Sequence, residues 1–566
     1  MKNFNDGGEA ILQAFRNLGV DYILSSPGSE WCPVWEAMSR QTLAGAPGPS
    51  FIDCWHETLA VDMALGYTGY TGRMQAVLLH AGVGLMHGAM AIMSADKAEL
   101  PMLVMSGEST TFGDDPEIQI EPQFYGGVSE GGSHRFIAPL VKYSTQVTSH
   151  ATLYHTLTRS AEMAQRTPQG PVYVNVSMEA MLHEWRAPSD LARIASASVT
   201  QALPQDVAEI ASLLRSAKNP IIVTEGVGRD PAAFDALVAM SDALALPVIN
   251  GRASTYTNFP RSHDMWLGYS NFAHLAECDL ILLVSGRTPW YPPSVRPGCG
   301  KIVSIGEYPH KHHLPYQALH ADHYLEGDVA SALRLLTQAA MPGADEADKI
   351  TARRARWKAA HGALMADLAN QRAAALSATE TIDAVALAAV AAQELPADVI
   401  ICDETITHMP VMRPHLPLEC ARSFFRVTGG ALGQGIGAAL GVKLAAPQRP
   451  VVLFIGDGSF LYNPIIQALG ASKQHGLPIV IVVCNNKRYE AMRKGHVLYY
   501  AGGAADSTRF HHGVEIDGPE YHELGSHFGF WGAKVSTIPA LREALKEALA
   551  SAQSGRTAIL NVELTK

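Results

Sequence analysis

Two apolar runs near the end of the chain lead into polar side chains that could bind a metal ion. Asp457 lies in Gly-Asp-Gly-Ser (456–459) after the run 451–455, and Asn486 follows the run 478–484. Parallel strands joined by a helix present their carboxyl ends at one sheet edge, so the two side-chain oxygens can converge on one cation. Magnesium takes oxygen ligands and retains diphosphate oxygens, and glycines before a helix N-terminus suit a phosphate group. The segment is therefore a candidate site for magnesium and a diphosphate, and a plain turn is the alternative interpretation of Gly-Asp-Gly taken alone.

A carboxylate in the first part of the chain is a second candidate for chemistry. Glu57 follows the apolar segment 51–54 and opens a predicted helix, and a glycine-rich stretch, Ala-Gly-Val-Gly at 81–84, comes after the next apolar run. Alone, a glutamate in the first helical turn stabilises the helix dipole. From the residues alone, that structural role is the favoured interpretation of Glu57.

These two motifs and the segment 427–435 (Val-Thr-Gly-Gly-Ala-Leu-Gly-Gln-Gly) resemble those of the thiamine-diphosphate-dependent decarboxylase and synthase family, whose diphosphate motif is Gly-Asp-Gly, a helix, then Asn-Asn. The resemblance implies that Asp457, Asn486 and the carbonyl oxygen of Arg488 bind Mg²⁺. It implies that Glu57 protonates a pyrimidine nitrogen of thiamine diphosphate, the cofactor that carries the chemistry. It also implies further cofactor contacts from Glu404, Thr407, Gly430, Leu432, Gly456, Gly458, Ser459 and Tyr489.

Within 427–435, the resemblance gives two residues separate tasks. The carbonyl oxygen of Gly430 would accept a hydrogen bond from the pyrimidine amino group, and Leu432 would lie between the two rings of the cofactor. A glycine-rich dinucleotide loop is the competing interpretation. We disfavour it because the segment lacks the Gly-x-Gly-x-x-Gly spacing and because we expect no apolar strand before it.

The residues expected near the substrate are less distinctive. Around Ser29 and His80 the chain resembles benzoylformate decarboxylases, which carry a serine and a histidine at these positions. We expect both to contact substrate, although Ser29 also suits a simple turn and His80 a capping position. Further substrate-facing candidates are Trp290, Tyr291, Tyr462 and Glu490. A proline-fixed aromatic loop is the alternative for Trp290 and Tyr291. Glu490 replaces a small residue of benzoylformate decarboxylases, so it would narrow the pocket or favour a polar substrate.

Acetolactate synthase large subunits also resemble the chain overall. Their Gly-Gly after the first strand is Gly28-Ser29 here, and the segment 170–177 lacks the Pro-Lys-Asp ending expected of them. No flavin-specific motif is found in the middle of the chain. The resemblance therefore leaves flavin binding unsupported.

The resemblance implies a lyase or transferase that cleaves or forms a C–C bond. We expect a thiamine-diphosphate- and Mg²⁺-dependent 2-oxo acid decarboxylase with carboligation activity. Acetolactate-synthase-like transfer is the first alternative, and acyloin cleavage or diketone hydrolysis the second. Because sites in this family form between two subunits, a homo-oligomer is also implied, at least a dimer and often a homotetramer.

The elements that must position these residues follow from hydrophobic periodicity. Short apolar runs alternate with helical patterns in three successive sets, which is typical of parallel sheets with crossover helices. Two segments between the sets read as linkers, 185–203 and 340–378, the second of them helical. The fold class is therefore α/β, with three parallel-sheet domains: pyrimidine-binding 1–185, central 200–345 and diphosphate-binding 375–566.

Composition excludes several other classes of protein. The chain has 43 basic and 54 acidic residues, a net charge of −11 and no basic run, which argues against nucleic acid and anionic membranes as partners. Its 7 cysteines are scattered without a Cys-x-x-Cys pair, so we expect reduced thiols. No apolar run is long enough to span a membrane, and the first residues lack a signal-peptide pattern. We therefore expect a cytoplasmic protein.

Three rival interpretations are disfavoured. Residues 127–131 match the Gly-x-Ser-x-Gly motif of serine hydrolases, with His134 nearby, but a polar loop rather than a strand precedes them. The segment 310–313 (His-Lys-His-His) could bind a transition metal, but a solvated loop fits it better. A protein that kept the fold and lost catalysis would have no reason to retain Glu57 together with both proposed metal ligands.

Overall fold

The computed structural model describes residues 4–108, 118, 120, 132–147, 149–189, 191, 195–288, 290, 297, 300–311, 321–343, 347–427 and 430–565. The described residues contain three six-stranded sheets in which every strand pair is parallel. This arrangement confirms the predicted α/β fold class.

The N-terminal sheet has the strand order β2-β1-β3-β4-β6-β5. Its strands are β1 (Tyr22–Ser26), β2 (Ser50–Asp53), β3 (Gln75–Leu79), β4 (Met102–Glu108), β5 (Tyr143–Gln146) and β6 (Pro171–Ser177). The helices of this part are α1 (Gly7–Leu18), α2 (Cys32–Ala44), α3 (Glu57–Thr71), α4 (Val83–Lys97), α5 (Ser133–Ile137), α6 (Leu153–Gln165) and α7 (Met178–Leu182). β3 and β4 are wholly buried, as expected of strands covered by helices on both faces.

The central sheet has the order β12-β11-β10-β7-β8-β9. Its strands are β7 (Pro220–Thr224), β8 (Val248–Asn250), β9 (Trp266–Tyr269), β10 (Leu280–Val284), β11 (Lys301–Gly306) and β12 (His323–Glu326), with helices α8 (Pro204–Ser216), α9 (Pro231–Leu244) and α10 (Val329–Ala339). The predicted helical linker is α11 (Ala347–Ser377), whose Trp357 and Leu368 pack into the core of this domain.

The C-terminal sheet has the order β14-β13-β15-β16-β18-β17. Its strands are β13 (Ile400–Glu404), β14 (Phe424–Arg426), β15 (Val451–Gly456), β16 (Val480–Asn485), β17 (Trp531–Val535) and β18 (Ala558–Glu563). Its helices are α12 (Ala384–Glu394), α13 (Met409–Met412), α14 (Gly435–Ala445), α15 (Asp457–Tyr462), α16 (Ile465–Gln474), α17 (Glu490–Tyr499), α18 (Ala504–Thr508) and α19 (Ile538–Gln553).

The expectation that no strand precedes the glycine-rich segment 427–435 is wrong. β14 ends at Arg426, directly before this segment, and pairs with β13. The strand has three residues and lies at the sheet edge, so it leaves too short an apolar run to be recognised in the sequence.

Helices α3 and α14 join the N-terminal and C-terminal domains. They cross so closely that a Cβ on Gly66 would lie 2.0 Å from the carbonyl oxygen of Ala438, and one on Gly441 would lie 2.0 Å from that of Met63. One apolar cluster extends from the N-terminal sheet across both helices to the C-terminal sheet. The helix that begins at Glu57 is therefore fixed against the helix that follows the glycine-rich segment.

Two expectations about the chain as a whole can be compared with the described residues. Within them, no helix combines the length and the apolar character that crossing a membrane requires. The 6 cysteines that the structure describes are all free. Cys299 lies outside the described residues.

Candidate active site

The proposed metal ligands lie at the ends of two adjacent strands. β15 and β16 pair in parallel with Gly456 opposite Cys484, so Asp457 and Asn486 emerge at the same sheet edge. Both residues are buried, at 3% and 4% exposure. Asp457 is the first residue of α15, and the left-handed backbone of Lys487 (φ 58°) turns the chain directly after Asn486.

The Asp457 carboxylate fits a divalent cation. Its Oδ1 accepts a hydrogen bond from the Gly458 N–H at 2.8 Å, whereas the buried Oδ2 has no partner among the described residues. Burial raises the pKa of Asp457, and backbone N–H groups of Lys487 and Arg488 oppose this shift. A cation at Oδ2 would satisfy the orphaned oxygen and favour the ionised carboxylate, so the donor set is suited to Mg²⁺.

The surroundings of Asn486 include one residue that the sequence analysis missed. Asn486 Oδ1 accepts from the Arg488 N–H at 3.2 Å, and Asn486 Nδ2 lies 3.5 Å from Nε2 of His408. Burial lowers the pKa of His408 to about 4, so its imidazole is neutral at pH 7. No sequence signal identified His408, because it lies on a turn after β13 that only the fold brings to β16. The Arg488 carbonyl accepts from the Glu490 N–H at 3.0 Å, and its role as a metal ligand stays a prediction.

Glu404 holds the glycine-rich segment in place. Its Oε1 accepts from the N–H groups of Gly433 and Gln434 at 2.7 and 2.8 Å, and its Oε2 accepts from Asn463 Nδ2 at 3.0 Å. Burial raises the pKa of Glu404 to about 7. Both oxygens are thus engaged within the protein, which makes Glu404 a support for the glycine-rich segment that follows β14.

Other residues predicted to contact the cofactor lie around the same sheet edge. Gly430 has a left-handed backbone (φ +74°), as does Gly433, on which a Cβ would lie 2.5 Å from the carbonyl oxygen of Tyr462. Leu432 and Thr407 are half-buried, and Ser459 is buried in the first turn of α15. Residues 428 and 429 of the predicted loop lie outside the described residues.

Aromatic and charged side chains flank the metal motif. The Tyr489 ring lies against Gly458, where a Cβ would approach it to 2.3 Å, and its centroid is 6.5 Å from that of the largely exposed Tyr462. The Glu490 carboxylate forms ion pairs with Arg493 and Arg488 at 2.7 and 2.8 Å, and Arg493 is the main cause of its lowered pKa. Two guanidinium groups therefore compensate the charge that the sequence analysis expected to face substrate.

Glu57 is positioned by its own helix and by α4. His56 caps α3 by accepting the Thr58 N–H at 3.2 Å, and Glu57 Oε2 lies 3.1 Å from Nδ1 of His87. A Cβ on Gly84 would lie 3.0 Å from Glu57 Oε1, so the glycine-rich stretch is in contact with this carboxylate. The side chain of Glu57 is 14% exposed.

Glu30 is a second residue that the sequence analysis missed. This fully buried carboxylate contacts His80 Nδ1 at 2.9 Å and accepts from the Ala81 N–H at 2.7 Å. Its hydrogen bond raises the pKa of His80, against the opposing effect of burial. Gly28 makes room for the pair, since a Cβ there would lie 1.8 Å from His80 Nδ1. The one available signal was an acidic residue directly after Pro-Gly-Ser.

The structure brings the predicted residues into two groups. The side-chain hydrogen bonds and ion pairs of Glu57 and His80 stay within the N-terminal domain, and those of Asp457 and Asn486 stay within the C-terminal domain. Ser29 is half-buried and opens the short 3₁₀ turn that carries Glu30. We refer to the residues around Glu57 and His80 as the N-terminal half-site and to those around Asp457 and Asn486 as the C-terminal half-site.

The remaining sequence candidates lie away from these groups or outside the described residues. Trp290 packs against the core of the central domain, and Tyr291 lies outside the described residues. So do the Gly-x-Ser-x-Gly motif at 127–131 and the second half of the His-Lys-His-His segment. Within that segment, the described Lys311 forms an ion pair with Glu99 at 2.7 Å.

Comparison with family models accounts for most of the chain. Residues 5–122 match the thiamine pyrophosphate enzyme N-terminal TPP binding domain, residues 207–336 the central domain, and residues 406–562 the C-terminal TPP binding domain. The first match contains Glu30, Glu57 and His80, and the third contains Asp457 and Asn486.

Individual proteins are similar over nearly the whole length. A benzoylformate decarboxylase of Pseudomonas aeruginosa is 25% identical and the match covers 96% of each chain. An acetolactate synthase large subunit of Haemophilus influenzae is also 25% identical, over 96% of this chain and 92% of its own. The solved structure of a thiamine-diphosphate-dependent 4-hydroxybenzoylformate decarboxylase from Rhodococcus jostii has a TM-score of 0.79 and 23% identity over 99% of both chains, which supports the fold.

Proposed function

Because the chain belongs to the thiamine pyrophosphate enzyme family, we propose that it is a thiamine-diphosphate- and Mg²⁺-dependent 2-oxo acid decarboxylase with carboligation activity. The relatives named as decarboxylase and synthase support C–C bond chemistry on a 2-oxo acid at this coarser level. The choice of a decarboxylase rests on the residues of the N-terminal half-site.

The C-terminal half-site would hold the diphosphate end of the cofactor. Asp457, Asn486 and the Arg488 carbonyl would bind Mg²⁺, and the N–H groups at the start of α15 would face the phosphates. The glycine-rich segment, held by Glu404, would place the Gly430 carbonyl and Leu432 against the ring system. When bound, thiamine diphosphate supplies the nucleophilic carbon and accepts the electrons of the cleaved bond.

The N-terminal half-site would place and move protons. Glu57 would hold a proton at a pyrimidine nitrogen. His80, kept protonated by Glu30 to higher pH than a free histidine, would present a positive charge and a proton to the carboxylate or carbonyl oxygen of a 2-oxo acid. Ser29, next to Glu30, would bind the same end of the substrate.

The Glu30–His80 pair is the observation that carries this proposal. Gly84 contacts both Glu57 and His80, because a Cβ on it would lie 2.8 Å from the Cβ of His80 and 3.0 Å from Oε1 of Glu57. A proton donor beside the catalytic carboxyl group is what protonation after decarboxylation requires, since the product aldehyde gains a proton where carbon dioxide leaves.

An acetolactate-synthase-like transfer is the second candidate. It is favoured by the equal identity, 25%, to an acetolactate synthase large subunit. In that case a second 2-oxo acid, rather than a proton, would receive the acyl unit. Acyloin cleavage or diketone hydrolysis would use the same residues and differs in the substrate that the pocket admits.

A substrate panel tests the proposal. Protein loaded with thiamine diphosphate and Mg²⁺ is given pyruvate, benzoylformate, branched 2-oxo acids and acyloins, with and without an aldehyde or 2-oxo acid acceptor. Carbon dioxide with free aldehyde supports the decarboxylase, whereas an acetohydroxy acid supports the synthase. Full activity of the protein after EDTA and dialysis have removed Mg²⁺ would contradict the metal assignment. Absence of turnover with bound cofactor would mean that the donor substrate lies outside the simple 2-oxo acids and acyloins of the panel.

We also propose that the active enzyme is a cytoplasmic homo-oligomer, at least a dimer. Exposed apolar side chains beside both half-sites support this, including Trp55 and Val83 near Glu57 and Leu461 and Ile466 near Asp457. Joining an N-terminal half-site of one subunit to a C-terminal half-site of another would cover them.

A further inference from the structure

Three basic side chains from three segments lie within electrostatic reach of one another where the central domain joins the C-terminal domain. Arg261 lies in the loop between β8 and β9, Arg372 lies near the end of α11, and His415 ends the turn Arg413–His415 after α13. The backbone N–H of Arg261 donates to the carbonyl oxygen of Leu418 at 3.2 Å, and α11 packs against the turn that ends at His415. This junction is separate from both half-sites.

The side chains at this junction present nitrogen atoms without hydrogen-bond partners. Nε and Nη2 of Arg261, Nη1 of Arg372 and Nδ1 of His415 are buried and have no partner among the described residues. His415 as a whole is 2% exposed. No carboxylate of the described part of the chain forms an ion pair with either guanidinium group. Buried donors are nearly always paired in native proteins, so the three unpartnered guanidinium nitrogens at this junction call for an acceptor.

Each of the nearby acidic groups has one carboxylate oxygen engaged by another partner. Glu419 Oε2 accepts from Ser262 Oγ at 2.6 Å, Asp383 Oδ1 accepts from the Ala386 N–H at 2.7 Å, and Asp367 Oδ2 accepts from Gln371 Nε2 at 2.8 Å. The charged groups that act on His415 are Arg372, Arg261, Asp383 and Asp367. Burial and the two arginines hold the pKa of His415 at about 4, so its imidazole is neutral at pH 7.

We propose that Arg261, Arg372 and His415 bind a small tetrahedral oxyanion, either inorganic phosphate or the phosphoryl group of a small metabolite. Guanidinium groups match such anions in geometry as well as in charge. The donor atoms are buried, which restricts the ligand to a small one. An anion held there would contact the central domain, α11 and the C-terminal domain at once, and would therefore stabilise their junction by linkage.

Sulfate is the first probe, because it remains a dianion from pH 5 to 8. We would use enzyme saturated with thiamine diphosphate and Mg²⁺, so that sulfate does not compete at the diphosphate motif, at constant ionic strength set with chloride. Calorimetry and thermal unfolding should show saturable binding and a rise in Tm. Arg372→Gln should raise the sulfate dissociation constant by about tenfold or more. The matched control is Arg356→Gln, an exposed arginine of the same helix that pairs with Glu277 at 2.6 Å.

A merely structural role for Arg372 predicts a different result. If the guanidinium served only packing, Arg372→Gln would lower Tm without sulfate. If it is an unpaired buried charge awaiting an anion, the variant should be at least as stable as the wild type without sulfate and lose only the sulfate-dependent rise. If Arg372→Gln does not fold, Arg372→Lys is the second variant. It retains the positive charge but lacks the planar paired N–H donors of the guanidinium group, so it should weaken sulfate binding by a smaller factor.

His415 supplies a pH signature. A bound dianion would raise the pKa of His415, so binding takes up a proton and sulfate affinity should increase severalfold from pH 8 to pH 6. His415→Gln should abolish this dependence. Equal sulfate affinity in the wild type and in folded Arg372→Gln, or no saturable binding in the wild type, overturns the proposal.

Phosphate and methyl phosphate then distinguish the source of the anion. Binding of phosphate alone identifies the free ion as the ligand, and binding of both identifies the phosphoryl group. If neither binds to the wild type, the site does not serve this class of anion. The outcome is independent of the proposed catalytic activity, because the measurements report binding and unfolding alone.

Discussion

Glu30 and Glu57 are two shielded carboxylates of the same half-site whose partners give them different tasks. Glu30 is fully buried and binds His80 and a backbone N–H, so both its oxygens are committed inside the protein. Glu57 has one contact with an exposed histidine, His87, and keeps access to a ligand. Glu30 therefore suits a positioning role, and Glu57 suits direct contact with the cofactor.

Glu57→Gln tests the direct role. The variant should retain its fold and cofactor binding while its turnover falls by about 10²-fold or more, because the amide cannot transfer a proton to and from the pyrimidine nitrogen. Turnover of the best substrate, circular dichroism and cofactor titration would be measured together. Full activity in a folded, cofactor-loaded variant would contradict the assignment of Glu57.

Glu30→Gln tests the positioning role through pH. The Glu30 carboxylate raises the pKa of His80, and a raised pKa preserves the protonated form until pH rises through it. With the amide in place, burial lowers that pKa and only the smaller effect of the Glu57 charge opposes it. The loss of kcat/KM with rising pH should therefore begin at lower pH in the variant than in the wild type.

The matched control for this experiment is Glu36→Gln, an exposed carboxylate on α2 that pairs with Arg40. It should leave the profile unchanged. A profile in Glu30→Gln that keeps its shape and only loses amplitude would mean that Glu30 does not act through the protonation of His80.

Residues of the site could be predicted where a motif is local. Asp457 and Asn486 lie in short segments whose residue types indicate metal binding, and the parallel pairing of β15 and β16 places both at one sheet edge, as predicted. The Glu30–His80 contact could not be predicted. It joins residues 50 positions apart and depends on the pairing of β1 with β3, which no single segment encodes.

At the scale of elements, sequence patterns identified long runs and missed short ones. The Ala- and Arg-rich segment predicted a helix that the structure shows as α11, whereas the three-residue β14 escaped detection. The crossing of α3 and α14 was also beyond prediction, because small residues at a crossing are informative only once the partner helix is known. The close approach of α3 and α14 at this crossing should make stability sensitive to the size of the residue there.

Gly66→Ala should lower the free energy of unfolding. The new Cβ would lie 2.0 Å from the carbonyl oxygen of Ala438, so the two helices must separate, at a cost of about 1–3 kcal/mol or more. Urea unfolding followed by circular dichroism measures the change. Because α3 carries Glu57, turnover should also fall as the helix shifts, even under conditions where the variant remains folded.

Gly362→Ala is the control for this crossing. Gly362 lies in α11, and a Cβ there would meet nothing within 4 Å. Since alanine favours helices over glycine, this variant should gain about 0.5–1 kcal/mol. Equal effects of the two substitutions would show that helix propensity, rather than the α3–α14 contact, governs both positions.

At the scale of the whole molecule, hydrophobic periodicity predicts the three sheets, but it does not predict how the two half-sites combine. The side-chain hydrogen bonds and ion pairs of Glu57, His80, Asp457 and Asn486 remain within separate domains of one chain, and exposed apolar side chains flank both groups. A site shared between subunits explains this arrangement, and it can be distinguished from a site within one chain without a further structure.

Mixing two inactive variants makes that distinction. Glu57→Gln disables the N-terminal half-site and Asp457→Asn the C-terminal one, so each homodimer should be inactive. In a mixed dimer with shared sites, one site receives both defects and the other receives none. After unfolding and refolding equal amounts together, half of the dimers would be mixed with one of two sites intact, so activity should reach about a quarter of the wild type.

Mixtures of Glu57→Gln with Glu57→Gln,Asp457→Asn should stay inactive. No recovery in the first mixture, with mixed dimers demonstrated by differential tags, would place the complete site within one subunit.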